Sequence, residues 1–193
     1  MLEAQLKPWR CNSLEKFVSF LRAINVGGRN VIKMDLLKKI YADMGLQTPI
    51  SYLQSGNVIF EVEPTGEVAL AAEIESKIEA IADFRPDVHL RTSSELSAVI
   101  HANPFTGPAK SDASHLVVMF LRKPPTKSAA DDLMQANTGP EEFELIGRDV
   151  YINYPNGIGR SKFTNAIIEK ALGLQGTVRN WNTVTKLNQL MSD

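Results

Sequence analysis

One pattern of elements runs through this 193-residue chain twice, and it limits the fold more than any single motif. Residues 16–22 (KFVSFLR) form an apolar run of strand type. Residues 33–45 carry Met34, Leu37, Ile40, Tyr41 and Met44 at helical spacing and close on Gly45. Residues 49–54 and 57–62 read as paired strands, with Ser55-Gly56 as a two-residue turn. Residues 67–83 have helical period and residues 87–91 form a short strand. Ser93 or Ser94 then caps a further helix that runs to His101.

After the Asn103-Pro104-Phe105-Thr106-Gly107-Pro108 break and a linker over 109–114, the string restarts. Residues 115–122 (HLVVMFLR) are a strand, 128–136 a helix, and 141–146 and 150–154 paired strands turning at Arg148-Asp149. A helix over 161–172 stops at Gly173, residues 176–179 form a strand, and Asn180 or Asn182 caps a last helix ending near Met191. Corresponding elements lie 87 to 99 residues apart. The expected class is therefore α+β. Two tandem units of βαββαβ order, the ferredoxin-like plait, are each followed by an extra helix and span residues 14–108 and 109–193.

Composition supports a folded chain: 44% hydrophobic, 22% charged, formal net charge −1. No apolar run reaches the roughly 18 residues of a membrane-spanning helix. Residues 1–13 lack the apolar core of a signal peptide and read as a poorly ordered extension, so cytoplasm is the expected compartment. The single cysteine, Cys11, cannot form an intramolecular disulfide. His89, His101 and His115 have no partner at metal-ligand spacing, so neither metal nor cofactor is expected. No nucleophile–base pair stands out, which leaves catalysis unassigned.

Charge is unevenly placed. Residues 14–60 carry net +3 and 158–192 net +4, whereas 61–99 carry net −6. If the two basic stretches meet in space, they form one anion site. The loop at 22–30 follows a strand and precedes a helix; it offers Arg22, Asn25, Gly27, Gly28, Arg29 and, just beyond, Lys33. The hairpin at 52–57 offers Gln54, Ser55 and Asn57. Arg160, Ser161 and Lys162 stand at a helix start, with Ser161 as the expected N-cap. Arg179, Asn180, Asn182 and Thr183 follow the last strand. Guanidinium and ammonium groups supply charge to a phosphate or carboxylate, and amides supply directed hydrogen bonds. Neither a dinucleotide fingerprint nor a P-loop spacing is met.

Three blocks in this order, residues 22–28 (RAINVGG) with Met34 and Leu37, 52–60 (YLQSGNVIF) and 177–187 (TVRNWNTVTKL), resemble the bacterial family of unknown function DUF1697 across residues 14 to 191. The resemblance implies paired ferredoxin-like units and brings no activity or catalytic residues. Three functional readings follow from the sequence. The first is a pocket for an anionic, phosphorylated or carboxylated small molecule. The second is a single-stranded nucleic-acid module using Phe17, Phe20, Tyr52, Phe60, Phe120, Tyr151 and Tyr154. The third is a scaffold without a small ligand.

Overall fold

In the computed structural model, residues 13–106 and 113–192 are described. The expectations for residues 1–12 and for most of the linker, including the 108/109 boundary, lie outside them. The order is β1 (Glu15–Leu21), α1 (Met34–Asp43), β2 (Gln47–Tyr52), β3 (Asn57–Val62), α2 (Glu67–Ala82), β4 (Val88–Thr92) and α3 (Ser93–His101). It continues with β5 (Leu116–Leu121), α4 (Lys127–Ala136), β6 (Glu142–Ile146), β7 (Asp149–Asn153), α5 (Asn165–Leu172), β8 (Gly176–Asn180) and α6 (Trp181–Ser192). A single 3-10 turn at Ile158–Arg160 precedes α5.

Two four-stranded antiparallel sheets result, ordered β2-β3-β1-β4 and β6-β7-β5-β8. The central strand β5 is apolar along its length, and β1 is buried from Phe17 to Leu21 with Ser19 its one polar side chain there, because both faces of each sheet are covered at the centre. On β1, Phe17 and Leu21 face a core shared with Leu37, Ile40 and Tyr41 of α1 and Leu70, Ile74 and Ile78 of α2. On β5, Val117, Met119 and Leu121 face a core with Leu133 of α4 and Ile168 and Leu172 of α5. The remaining faces meet each other. Val18, Phe20 and Ile59 of one sheet pack with Val118, Phe120 and Tyr151 of the other, and α3 and α6 close this middle core with Leu96, Val99, Val184, Leu187 and Met191. The helix that follows each βαββαβ string thus seals the junction between the sheets.

Local chemistry moves several boundaries. Thr92, not Ser93 or Ser94, caps α3, because its side chain accepts from Glu95 N while Glu95 returns a bond to Thr92 N. The β2–β3 connection is not a two-residue turn: Leu53 at φ +60° and Gly56 at φ +72° bracket a longer one. The β6–β7 turn falls at Gly147-Arg148, one residue earlier than expected, and Asp149 opens β7. Ser161 does not cap α5. Its hydroxyl accepts from Phe163 N within its own turn, and Thr164 takes the N-cap position without a side-chain cap bond.

Candidate functional site

Side chains that join the two sheets come in reciprocal pairs. Arg22, directly after β1, reaches Glu169 of α5 through two hydrogen bonds of 3.0 and 2.9 Å. Arg122, directly after β5, reaches Glu75 of α2. Each glutamate also accepts a main-chain N–H from the fourth strand of its own unit: Gly176 N on Glu169 and Val88 N on Glu75. Asp87 lies 3.7 Å from both Arg22 and Arg122.

Deeper in, Phe20 and Phe120 stack with centroids 4.2 Å apart. Arg179 of β8 lies over Phe20, and Arg91 of β4 lies over Phe120. Both guanidinium groups bind the carbonyl of the preceding residue, Val178 O and Leu90 O, and the carbonyl ending the other unit's first strand, Leu21 O and Leu121 O. Arg91 also donates to Arg148 O at 3.2 Å and to the Asp149 carboxylate at 2.6 Å, and its Nε is without a partner among the described residues. Burial pushes Arg91 down and Asp149 up, and their attraction opposes both shifts.

Arg179 has no such partner. Its remaining bonds run to the Asn57 amide oxygen (2.5 Å), Thr177 Oγ1 (2.8 Å) and Ser55 O (2.8 Å), which uses all five of its N–H groups. Burial lowers it to about 10, with no acid to hold it up. Among the described residues it is the one buried arginine without a carboxylate partner. His89, on β4 beside Arg91, is also fully buried, and neither ring nitrogen has a hydrogen-bond partner among the described residues. Burial, followed by the charges of Arg122, Arg91, Arg179 and Arg22, lowers its pKa to about 3.

Above Arg179 lies a cavity of about 330 Å³. Its walls are the first loop (Arg22, Ala23, Ile24, Val26), Ser55 of the hairpin, Asn165 and Glu169 of α5, and residues 176–179 of β8. The first loop is built rigidly. Asn25, itself at φ +54°, donates to Ile32 O (3.1 Å) and Gln54 O (2.9 Å) and accepts from Ile32 N (2.9 Å). Asn30 donates to Ala23 O at 3.0 Å. Gly27 (φ +58°) and Gly28 (φ +74°) supply the left-handed turn at its tip.

The structure gathers a smaller set than the sequence reading does. Arg22, Ser55 and Arg179 line the cavity, so the two basic stretches do meet there. Asn25 braces the loop, and Asn57 is fully buried, binding Tyr52 O and the Ser55 hydroxyl as well as Arg179. Arg29, Lys33 and Gln54 are exposed and do not line the cavity. Arg160, Ser161 and Lys162, on and after the 3-10 turn, also lie outside it. Asn180 caps α6 by accepting from Asn182 N at 2.8 Å, Asn182 is exposed, and Thr183 is buried. Of the aromatic side chains considered for base stacking, all but the half-buried Tyr52 are covered by packing. Among the described residues no cluster of three metal-ligating side chains occurs, and no helix is long and apolar enough to cross a membrane.

Sequence reasoning missed Arg91, Asp149, Glu75, Glu169, Arg122 and His89. One signal was available: Phe20-Leu21-Arg22 recurs as Phe120-Leu121-Arg122, letter for letter, at the ends of equivalent strands.

A family model described as "Protein of unknown function (DUF1697)" matches residues 14–151. The third resembling block, 177–187, lies beyond that match. Among solved structures, the conserved bacterial protein SP0830 from Streptococcus pneumoniae is similar, with a TM-score of 0.66 and 18% identity over 93% of this chain and 99% of that one. No curated protein matches.

Proposed function

Because the chain belongs to the DUF1697 family, whose description assigns no activity, we propose a function from geometry: it binds a small phosphorylated or carboxylated molecule in the cavity above Arg179. The observation that carries this reading is the buried guanidinium with no counter-ion. A desolvated charge is costly unless it is paired, and a ligand anion supplies the missing charge. Arg179 has no free N–H, so it acts as a fixed charge in the cavity lining rather than as a direct donor. Direct bonds come instead from the Ser55 hydroxyl, the Asn165 amide and the first-turn N–H groups of α5, which has neither a side-chain cap bond nor an acid in its first turn. Arg22 is held by Glu169 and Asp87 and frames the site. A volume of about 330 Å³ lies at the small end of small-molecule sites and suits a compact anion.

We read the two halves, 14–108 and 109–193, as paired ferredoxin-like plaits; the antiparallel orders β2-β3-β1-β4 and β6-β7-β5-β8 support this. That architecture hosts many functions and does not choose the ligand.

The test is thermal melting of the protein and of Asn165→Asp against inorganic phosphate, sugar phosphates and carboxylates at constant ionic strength. Asp at position 165 puts a negative charge on the cavity wall and also favours the α5 N-terminus by about 0.3–1 kcal/mol. The parent gains about 5 °C or more at saturating ligand, and Asn165→Asp, equally or more stable alone, gains nothing. Equal responses of the two proteins, or none from the parent, would count against the reading.

A further inference from the structure

We infer that Asn57 is the residue that keeps this cavity charged, an assignment that rests on the anion-binding reading above. The internal duplication supplies the comparison. Asn57 stands opposite Phe20 in the β1–β3 register, as Asp149 stands opposite Phe120 in the β5–β7 register. Arg179 stands opposite Val118, as Arg91 stands opposite Val18. Each arginine crosses to the other sheet, lies over the other unit's phenylalanine and binds equivalent carbonyls. Asn57 and Asp149 meet their arginines from matching register positions but at different nitrogens: Asn57 Oδ1 accepts from Arg179 Nε (2.5 Å) and Asp149 Oδ1 from Arg91 Nη2 (2.6 Å). Both side chains are buried and they differ by one amide for one carboxylate.

The consequence is a difference of one unit charge between two arginines at matching register positions. Asp149 neutralises Arg91 inside the protein. Asn57 satisfies the Arg179 Nε–H as a hydrogen-bond acceptor and leaves its charge open. Asn57 is not on the cavity wall, so it is a positioning residue that acts through Arg179. It also donates to Tyr52 O (2.8 Å) and the Ser55 hydroxyl (3.0 Å), a structural role that the test must separate from the electrostatic one.

The experiment is calorimetric titration of inorganic phosphate into the full chain and three variants at pH 7 and constant ionic strength. Asn57→Asp keeps shape and adds the counter-charge; phosphate affinity falls at least about tenfold, as expected for a buried unit charge within a few ångströms. Asn57→Ser removes the amide's hairpin bonds and its bond to Arg179 Nε without adding charge, and affinity falls less than in Asn57→Asp. An equal loss of affinity in both variants assigns Asn57 a structural role only and overturns the proposal, as does undiminished binding by Asn57→Asp. If the parent binds no phosphate, the anion-binding reading itself falls, and the charge assignment falls with it. Should Asn57→Asp not fold, Asp149→Asn decides. It opens the charge of Arg91 beside its own cavity of about 210 Å³, and a second phosphate equivalent per chain supports the proposal. Unchanged stoichiometry overturns it.

Discussion

His89 shows at a single residue what the junction between the sheets demands. It stands on β4 opposite Phe20, where the other sheet places Thr177 opposite Phe120. Above a pH of about 6.5 its ring is neutral both folded and unfolded, so it has no effect on stability there. Its folded pKa is lowered to about 3, so between 6.5 and 3 the unfolded chain binds a proton that the folded chain excludes. Stability must therefore fall as the pH is lowered across that window, by about 1.4 kcal/mol per unit from this group alone. Urea unfolding at pH 7 and pH 4.5 measures it: His89→Thr loses about 2–3 kcal/mol less than the parent on acidification. Equal losses would mean that His89 is not held neutral. Arg179 makes a second prediction. Replacing it with Ala leaves Leu21 O, Ser55 O and Asn57 without their donor and destabilises by about 2–4 kcal/mol in denaturant titration. The residue was legible as important because it ends a strand beside an Asn-rich helix start. Its burial was not legible, because nothing local in Thr177-Val178-Arg179 announces acceptors located more than a hundred positions earlier in the chain.

Elements were the most legible scale. Helical spacing in α1 and α2, the apolar strands β1 and β5 and the Gly173 stop need only local chemistry, and the structure places them within a few residues of expectation. The misses are places where a polar side chain has two uses. Ser161 looks like an N-cap, but its hydroxyl serves its own turn, and α5 begins four residues later. Ser55-Gly56 looks like a complete hairpin turn, yet the left-handed Leu53 lengthens it. The turn still requires its glycine. A Cβ on Gly56, at φ +72°, would sit 2.5 Å from Ile24 Cδ1 and 2.9 Å from Leu21 Cβ. Gly56→Ala therefore strains the backbone and pushes the hairpin away from β1 and the first loop. A loss of about 2–4 kcal/mol, or at least about 5 °C in melting temperature, is expected. A melting temperature within about 2 °C of the parent would show that the hairpin does not bear on this packing.

At the scale of the molecule, the two βαββαβ strings behave as one body because their sheets share a core and exchange charged side chains. The duplication was visible as a pattern, but the contacts it creates were not. Arg22 meets Glu169, Arg122 meets Glu75 and Arg91 meets Asp149 across large sequence separations, and periodicity carries no information about such pairings. Phe120→Ala removes one half of the ring stack at the centre and destabilises by about 3–5 kcal/mol. Native-state hydrogen exchange will then show faster exchange at Val18 and Ile59 of the first sheet as well as at Val118 and Tyr151 of the second. Acceleration confined to the second sheet would show two independent units. Within this shared junction the charge balance closes at Arg91 and stays open at Arg179, and the account turns on that difference. The measurement that tests it most directly is a crystal structure of the protein soaked in selenate, a tetrahedral dianion with an anomalous signal. The account predicts an anomalous peak in the cavity between Ala23, Ser55 and Asn165, over the Arg179 guanidinium. An empty cavity at saturating selenate, with peaks only at exposed cations such as Arg29 or Lys162, would contradict it.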